Sequence, residues 1–452
     1  MKLEDAESTL SGLKNKKILI VGKGIEGKAA GKYLRSHLSG VKLNVVDQKD
    51  GENYLDRQKK YDVAIKSPGV KPELITIPYT TATNIFLSNA KGKVIGITGT
   101  KGKSTTTTLI YKMLKAQKLD AYMGGNIGQS PLDFIDKLDD NSWTVVEMSS
   151  YQLNDLKISP ARNASASVAG GPHIAVILMI TSEHLDYHKT QQAYIDAKRN
   201  ILRFQKESDF AVINKDYTAS HESDTHTLGK VFNFSREREV NGCFVQGDSV
   251  WININGKKEK IIDTHKIKLL GKHNLENVCA AICTANLVGV SKTNITKVLE
   301  EFGGLEHRLE FVGEKNGVRF YNDSLATIPE AAVHALEALP DAETLIAGGY
   351  DRGLDYSSLG QYLNKGQIKT LILFPPTGKR IWDEVCKITS EESRPEKFDV
   401  KTMEQAVRIA AAETNPGKIC LLSPASASFG TFKDYKDRGE QFKREVASLM
   451  SS

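Results

Sequence analysis

One segment of the sequence combines the residue types that bind phosphate at a spacing that suits phosphate binding. Residues 93–98 read KVIGIT, an apolar strand pattern, and a glycine-rich run then leads directly into a helical pattern, TTTTLIYKML. Such a turn directs backbone N–H groups to one point, where Lys103 adds a cation and Ser104 a Mg²⁺ ligand. The GxxGKS spacing is two residues shorter than GxxxxGKS, so a variant phosphate loop is predicted. Its candidate residues are Gly99, Thr100, Lys101, Gly102, Lys103, Ser104 and Thr105.

A second glycine cluster lies near the start of the chain. Residues 22–27, GKGIEG, match the GxGxxG pattern between a strand and an amphipathic helix, and Asp47 ends the next strand 20 residues after Gly27. This spacing is typical of dinucleotide sites, where glycines let the backbone approach a diphosphate at a helix N-terminus. The same geometry stabilises any diphosphate, including that of a nucleotide sugar. A tight strand–helix turn without a ligand is the structural alternative.

Strand and helix patterns alternate along most of the sequence and must position these loops. Apolar strand patterns recur at WTVVEMSS, HIAVILMI, DFAVIN, ETLIAGG, KTLILF and KICLLSP, with helical stretches between them. Residues 230–270 show short alternating segments instead, which favour a small antiparallel patch. The pattern predicts an α/β fold, and 452 residues suggest about three domains. The small-residue stretch 161–171 is expected to be a flexible loop.

Composition and charge exclude several classes of protein. Apolar residues make up 40% of the chain and charged residues 26%, with 36 Gly and 13 Pro, which argues against disordered, collagenous and coiled-coil proteins. The apolar run 174–180 is far shorter than the roughly 20 residues of a membrane span, and the start of the chain resembles no secretory signal. A cytoplasmic location is therefore expected. The excess of 61 Lys and Arg over 55 Asp and Glu is mild, and a small anionic ligand explains it as well as nucleic acid does.

The run TGTKGKSTT at residues 98–106 resembles the ATP loop of the Mur ligase family, which also contains folylpolyglutamate synthetase. Further segments match that family in order along nearly the whole chain: NIG at 126–128, EMSSYQL at 147–153, TSEHLD at 181–186, GKHNLEN at 271–277, EHR at 306–308, NDS at 322–324 and LSPA at 422–425. The resemblance implies a three-domain Mur ligase architecture. It has a Rossmann-like UDP-substrate domain (residues 1–92), a P-loop ATPase-like central domain (93–305) and a Rossmann-like amino-acid-binding domain (306–452).

The resemblance is strongest to the branch that joins glutamate to UDP-N-acetylmuramoyl-L-alanine in cytoplasmic peptidoglycan precursor synthesis. It implies an ATP-dependent carbon–nitrogen ligase, in which the alanyl carboxylate is phosphorylated and the glutamate amine attacks the acyl phosphate. Lys103 would contact the γ-phosphate, and Ser104 would hold one Mg²⁺. The implied ligands of a second Mg²⁺ are Glu147, His184 and Lys198, the last as a carbamate. Without the resemblance, Lys198 is predicted to be a surface lysine.

The resemblance also assigns residues to the two nucleotides. For ATP, beyond the phosphate loop, it implies Asn274, Asn277, Arg308 and Asp323. For the UDP substrate it implies Gly24, Ile25, Asp47, Ser67, Gly69 and Asn126. The protein is expected to be a monomer that binds no nucleic acid and has no membrane span.

The amino-acid pocket departs from the family pattern. Leu325 replaces a lysine of the members that add D-glutamate, and Arg352 stands where some relatives have lysine. We predict that glutamate binds to Thr327, Arg352, Ser428 and Tyr435. Because this pocket is altered, the sequence leaves open whether the enzyme takes D- or L-glutamate.

Other functions stay open at this stage. A Mur-type ligase for another amino acid would carry the same loops, whereas folate glutamylation is disfavoured because that enzyme lacks the GKGIEG domain. A nicotinamide oxidoreductase built on residues 22–47 would leave TGTKGKST unexplained. A nucleotide-dependent switch protein would not need the first domain.

Overall fold

The computed structural model describes residues 8–157, 171–269, 271 and 274–451, with the backbone alone for Asp186. The predicted loop at 161–170 lies outside the described residues, as do Lys272 and His273 of the GKHNLEN segment. The chain divides into two compact units, Met1–Phe302 and Gly303–Ser452. The first unit contains two sheets and the second contains one. The domain boundaries at 92/93 and 305/306 stay predictions.

The first sheet has four parallel strands in the order β2-β1-β3-β4. Its β1 is buried over four of five residues, as expected for a strand covered on both faces. A Cβ at Gly27 of α2 would overlap the carbonyl of Gly22, so glycine is required there for the helix to start close to the strand. The elements are β1 (Lys17–Val21), β2 (Lys42–Val46), β3 (Val63–Lys66), β4 (Tyr79–Thr80), α1 (Leu10–Leu13), α2 (Ile25–His37) and α3 (Ala82–Asn89).

The central sheet has nine strands in the order β13-β12-β11-β10-β9-β8-β5-β7-β6. It is parallel from β11 to β6, and β12 and β13 extend it as an antiparallel edge within the region predicted to form an antiparallel patch. Its strands are β5 (Lys93–Thr98), β6 (Ala121–Gly125), β7 (Trp143–Glu147), β8 (Ile174–Ile177), β9 (Phe210–Asn214), β10 (Lys230–Ser235), β11 (Gly242–Gln246), β12 (Ser249–Ile254) and β13 (Lys257–Asp263). Its helices are α4 (Lys103–Ala116), α5 (Ser150–Asn154), α6 (Leu185–His188), α7 (Gln191–Arg199), α8 (Thr218–His221), α9 (Asn274–Val288) and α10 (Lys292–Glu301).

The third sheet, in the second unit, has six strands in the order β14-β15-β19-β16-β17-β18. Only β14 is antiparallel to its neighbour, and β16 and β17 are buried along their whole length. Its strands are β14 (Glu310–Lys315), β15 (Val318–Asn322), β16 (Ala342–Gly348), β17 (Thr370–Phe374), β18 (Glu396–Asp399) and β19 (Ile419–Leu422). Its helices are α11 (Pro329–Ala338), α12 (Ser357–Leu363), α13 (Thr377–Ile388), α14 (Met403–Glu413) and α15 (Tyr435–Ser451).

This architecture confirms the α/β prediction and explains where the motifs lie. In an open parallel sheet, ligands bind beyond the carboxyl ends of the strands. The glycine-rich loops and the polar segments predicted to carry chemistry follow β1, β5, β7, β15, β16 and β19. Within the described part of the chain, no helix combines the length and the apolarity that crossing a membrane requires.

Candidate active site

The phosphate loop lies between β5 and α4, and its two glycines adopt backbone conformations that favour glycine. Gly99 has a φ of 156° and Gly102 a φ of 86°. A Cβ at Gly102 would overlap the amide oxygen of Asn277, and a Cβ at Gly99 would lie 2.6 Å from Cβ of Leu178. The loop is therefore in tight contact with α9 and with the segment after β8, and a larger residue at either position would displace it.

Two lysines predicted to take part in the chemistry converge on one carbonyl of this loop. The ammonium of Lys103 donates to the carbonyls of Gly99 and Thr100, both at 2.9 Å. Lys198 lies on α7, is 1% exposed, and donates to the same Gly99 carbonyl at 2.7 Å. Burial, together with the nearby Lys103 charge, holds the pKa of Lys198 well below its usual range. The sequence-based expectation of a surface lysine is therefore wrong, because tertiary packing encloses this face of α7.

Glu147 is the last residue of β7, and its carboxylate is buried. Its side chain is 2% exposed, and Oε1 accepts a hydrogen bond from the amide of Asn126 at 3.0 Å. Its Oε2 is buried and has no hydrogen-bond partner among the described residues. An ionised carboxylate with a bare buried oxygen is costly unless a cation or donor reaches it, so Glu147 fits a metal ligand. The contact also joins a predicted catalytic residue to a predicted UDP-substrate residue.

His184 lies at the N-terminus of α6 in a left-handed conformation, with a φ of 56°. Its ring is 5.0 Å from the ring of Tyr151, and its Nε2 is 3.7 Å from a carboxylate oxygen of Glu183. Glu183 also pairs with Lys101 of the phosphate loop at 3.0 Å. The TSEHLD segment is thus connected to the phosphate loop through this ion pair. Among the described residues, no three His, Cys, Asp or Glu side chains are grouped so that they could hold a metal ion.

The start of α9 adds amide side chains beside the phosphate loop. Asn277 receives a hydrogen bond from Thr106 at 3.3 Å and donates to Asn274 at 2.8 Å. A cavity of about 60 Å³ lies next to these residues. It is lined by Lys101, Gly102, Leu178, Met179, Asn214, Tyr217, Phe234, Glu276 and Asn277.

Sequence reasoning missed part of this cavity's wall. Glu276 accepts hydrogen bonds from Tyr217 at 3.1 Å and Asn214 at 3.2 Å, and it pairs with Arg236 at 3.2 Å. These residues come from β9, the loop after it, the segment after β10, and α9. Asn214 at the carboxyl end of β9 and Glu276 within the GKHNLEN segment were the signals in the sequence, whereas Tyr217 and Arg236 lie in segments without a recognisable motif.

Five of the six residues predicted for the UDP substrate lie at the carboxyl ends of the first three strands, whereas Asn126 follows β6 of the central sheet. Gly24 and Ile25 begin α2, and the side chain of Ile25 is exposed. Asp47 accepts a hydrogen bond from the backbone N–H of Lys23 at 2.7 Å, which lowers the pKa of its carboxyl. Ser67 and Gly69 follow β3, and the Ser67 hydroxyl is buried without a hydrogen-bond partner among the described residues. The structure therefore brings these five residues to one edge of the sheet.

The EHR and NDS segments meet in the second unit. The backbone N–H of Leu309 donates to Oδ1 of Asp323 at 3.2 Å, and the Ser423 hydroxyl donates to Oδ2 at 2.8 Å. Burial raises the pKa of the Asp323 carboxyl to about 7. His307 and Leu309 both have a positive φ, of 62° and 44°, and they flank Arg308, whose side chain is exposed.

Three of the predicted glutamate residues lie on loops of the second unit, and the fourth, Tyr435, is the first residue of α15. The guanidinium of Arg352 is 5.5 Å from the centre of the Phe429 ring, directly after Ser428. Tyr350 donates its backbone N–H to the carbonyl of Ala427 at 2.8 Å, so these two loops are paired. Thr327 is half-buried on the loop after β15. Ser428 is 4% exposed, and the carbonyl of Tyr435 accepts a hydrogen bond from Ser324 at 2.8 Å.

Comparison with known protein families and proteins shows the family of the chain. The Mur ligase middle domain family matches residues 97–285, and the family described as Mur ligase, glutamate ligase domain matches residues 307–426. A protein of Thermoanaerobacter pseudethanolicus named UDP-N-acetylmuramoylalanine--D-glutamate ligase is 35% identical over 97% of this chain and 99% of its own length. The chain belongs to the Mur ligase family. A Clostridium botulinum protein of the same name is 34% identical to this Mur ligase over 97% of the chain and 98% of its own.

Solved structures agree on the fold of this Mur ligase. UDP-N-acetylmuramate-alanine ligase MurC from Thermotoga maritima superposes with a TM-score of 0.57 at 17% identity, over 96% of this chain and all of that one. MurF ligase from the same organism, solved in complex with ADP, gives 0.53 at 18% identity and covers 98% of both chains. These structures confirm the Mur ligase architecture, and the family match and the relatives above confirm the expectation of an ATP-dependent ligase. The individual site residues stay predictions.

Proposed function

We propose that this Mur ligase joins D-glutamate to UDP-N-acetylmuramoyl-L-alanine, with hydrolysis of ATP to ADP and phosphate, in the cytoplasm. The observation that carries the proposal is the full-length similarity, at 33–35% identity, to proteins named for that reaction. The two glycine-rich loops and the segments EMSSYQL, NDS and LSPA lie at the carboxyl ends of strands in their respective sheets, which is where α/β enzymes bind their ligands.

The central-sheet residues are proposed to activate the alanyl carboxylate. Lys103 neutralises charge on the transferring γ-phosphoryl group, while backbone N–H groups at the start of α4 hold the phosphates. Asn126 orients Glu147 through its hydrogen bond and reaches toward the acceptor substrate. Asn274 and Asn277 contact the nucleotide, because Asn277 touches the phosphate loop itself.

Magnesium fits this site by the chemistry of its donors. The buried Oε2 of Glu147 is a carboxylate oxygen that has no hydrogen-bond partner among the described residues, which suits a hard divalent cation. Ser104 would hold one ion, and Glu147, His184 and the carbamate of Lys198 would hold a second. When bound, Mg²⁺ supplies charge neutralisation on the phosphate oxygens during transfer.

The second unit is proposed to bind the amino acid. Arg352 and the hydroxyls of Thr327 and Ser428 bind the carboxylates of glutamate, and the backbone of Tyr435 completes the pocket. The glutamate amine, once deprotonated, attacks the acyl carbon, and phosphate leaves as the amide forms. Leu325 stands where lysine is expected, so Arg352 is proposed to supply the cationic charge of this pocket.

The test is phosphate release by the purified protein with ATP, Mg²⁺ and UDP-N-acetylmuramoyl-L-alanine, run in parallel with D-glutamate and L-glutamate. Turnover with D-glutamate, and formation of the amide seen by mass spectrometry, supports the proposal. Turnover with L-glutamate alone would overturn the stereochemical assignment and make the altered pocket its basis. No turnover with either would overturn glutamate as the substrate and direct the assay to other amino acids.

A further inference from the structure

A guanidinium without solvent exposure lies at the carboxyl edge of the third sheet. Arg438, in the first turn of α15, is 0% exposed. It donates from Nε to the Ser324 hydroxyl at 3.0 Å, from Nη1 to the Ser426 carbonyl at 3.1 Å and from Nη2 to the Ser324 carbonyl at 2.8 Å. Burial lowers its pKa to about 9, so it is a cation at neutral pH. Within the described residues no carboxylate forms an ion pair with it.

The oxygens that hold this guanidinium belong to loops after neighbouring strands. Ser324 follows β15 and Ser426 follows β19, and these two strands pair in parallel. The loop after β16, on the other side of β19, also touches Arg438, because a Cβ at Gly349 would lie 3.3 Å from Nη1. One side chain therefore contacts the ends of three adjacent parallel strands, the position where open α/β sheets bind their ligands.

The same loops carry the residues proposed to bind glutamate. Ser428 lies two residues after Ser426, and Thr327 lies three residues after Ser324. The Ser324 hydroxyl, which accepts from Arg438, also donates to the Tyr435 carbonyl at 2.8 Å. A displacement of the Arg438 guanidinium would consequently be transmitted to each of these positions through no more than three residues.

Arginine is the side chain that this position requires. Its planar group presents five N–H donors in fixed directions, whereas a lysine ammonium is a point charge that cannot span both loops. A buried polar group without its partner is costly, so loss of the guanidinium leaves the Ser324 and Ser426 carbonyls to find new donors. The charge of the Asp323 carboxylate raises the pKa of Arg438 from beyond ion-pair distance, so the buried cation is compensated only in part until a further anion comes near.

We propose that Arg438 is a positioning residue for the amino-acid pocket, which fixes the loops after β15 and β19 relative to each other and favours an anionic amino-acid substrate by its buried charge. Arg438 does not touch the substrate, since it has no exposed surface. The inference rests on the proposed function, because it takes the pocket to be the glutamate site.

The experiment compares R438K and R438M with wild type in steady-state kinetics, varying each of the three substrates in turn. We expect the KM for glutamate to rise at least tenfold in R438M and less in R438K, with the KM for ATP and for UDP-N-acetylmuramoyl-L-alanine within twofold of wild type. A matched control is R408M, because Arg408 is exposed on α14 and, in the described part of the chain, its ion pair is with Glu404 of its own helix. Its kinetic constants are expected to be unchanged.

A second variant and the KM values of the other two substrates distinguish a positioning role of Arg438 from a loss of folding. If R438M does not fold, S324A replaces it, because it removes only the hydroxyl that links Arg438 to the Tyr435 carbonyl, and it should still raise the glutamate KM several-fold. A folded variant with an unchanged glutamate KM, or with all three KM values raised equally, overturns the positioning role. An inactive wild type would instead overturn the proposed function, and the variants would then be assayed with whichever amino acid the wild type accepts.

Discussion

The ammonium nitrogen of Lys66 lies 2.7 Å from a carboxylate oxygen of Asp155, and the two side chains are 0% and 1% exposed. Lys66 ends β3 of the first sheet, whereas Asp155 directly follows α5 beside the central sheet. Tyr79 of the first sheet also donates to Asp155, at 3.0 Å. This ion pair therefore fastens the predicted UDP-substrate edge to the segment that continues from Glu147.

Substitution of Asp155 is expected to destabilise the first unit strongly. D155N leaves the Lys66 charge buried without its partner, and breaking a buried pair in this way costs about 3–5 kcal/mol. Urea unfolding followed by tryptophan fluorescence measures the loss. The double variant K66M/D155L should recover most of it, because no buried charge is left unpaired. If D155N loses no more than E259Q, an exposed-pair control in the same unit expected to cost about 0–1 kcal/mol, the Lys66–Asp155 pair does not stabilise this unit.

Glu147 is expected to be needed for turnover but not for the fold. E147Q keeps the acceptor for Asn126 and removes the anionic charge that a metal ion requires. Loss of several kcal/mol of transition-state stabilisation corresponds to a fall in kcat of at least about 100-fold. Phosphate release at increasing Mg²⁺ measures this, and E259Q, an exposed glutamate on β13, serves as the control. Wild-type kcat and Mg²⁺ dependence in E147Q would remove Glu147 from the metal site.

Lys198 is expected to carry a carbamate in the active enzyme. Its amine lies beside the phosphate loop with almost no exposure, where a carbamate would add an anionic oxygen ligand. Protein equilibrated with ¹³C-bicarbonate should show a carbamate carbon signal in NMR that is absent from K198R. The kcat of K198R should fall by at least about 100-fold, because a guanidinium cannot form the carbamate. The exposed Lys206, which lies seven residues after the end of α7, provides the control K206R. A missing signal in fully active wild type would contradict the carbamate.

Arg352 is expected to bind a carboxylate of glutamate. Removal of one charge-assisted hydrogen bond costs about 1.5–3 kcal/mol, so R352A should raise the glutamate KM by about 10–150-fold. The KM values for ATP and the UDP substrate should stay at wild-type levels. The Arg352 guanidinium lies over the Phe429 ring, so F429L tests whether that ring holds the guanidinium in place. We expect F429L to raise the glutamate KM less than R352A does. An unchanged glutamate KM in R352A would exclude Arg352 from the pocket.

Glu26 makes the stability of the first unit depend on pH. Burial raises the pKa of its carboxyl from 4.5 to about 7, although the hydrogen bond from Gln152 and the nearby Lys66 charge both act to lower it. A carboxyl with a raised folded-state pKa stabilises the fold most below the pKa of the unfolded chain, and this contribution is lost as pH rises through about 7. Wild type should therefore lose about 3 kcal/mol relative to E26Q between about pH 4 and about pH 8. Urea unfolding at both pH values measures it, and a pH-independent difference would show that Glu26 is normally ionised.

The phosphate loop and the family were readable from the sequence because both depend on local order. GxxGKST after an apolar strand can fold only as a turn into a helix, and the ordered motifs from 98 to 425 identify the Mur ligase family without a structure. Lys198 shows the limit of such reasoning. A lysine on an amphipathic helix has no local feature that distinguishes a buried position from an exposed one.

Tertiary packing sets which distant side chains share a carbonyl, a cavity or a charge. Arg438 lies 114 residues from Ser324 and 12 from Ser426, and no pattern along the chain links the three. Lys66 and Asp155 are likewise far apart along the chain, since Lys66 ends β3 of the first sheet and Asp155 follows α5 beside the central sheet. The strands, the turns and the chemistry of the loops could be predicted from the sequence, since they follow from residue type and short-range spacing. The pairing of buried charges was decided by packing, because their cost and their compensation depend on the dielectric and the partners that the folded chain brings together.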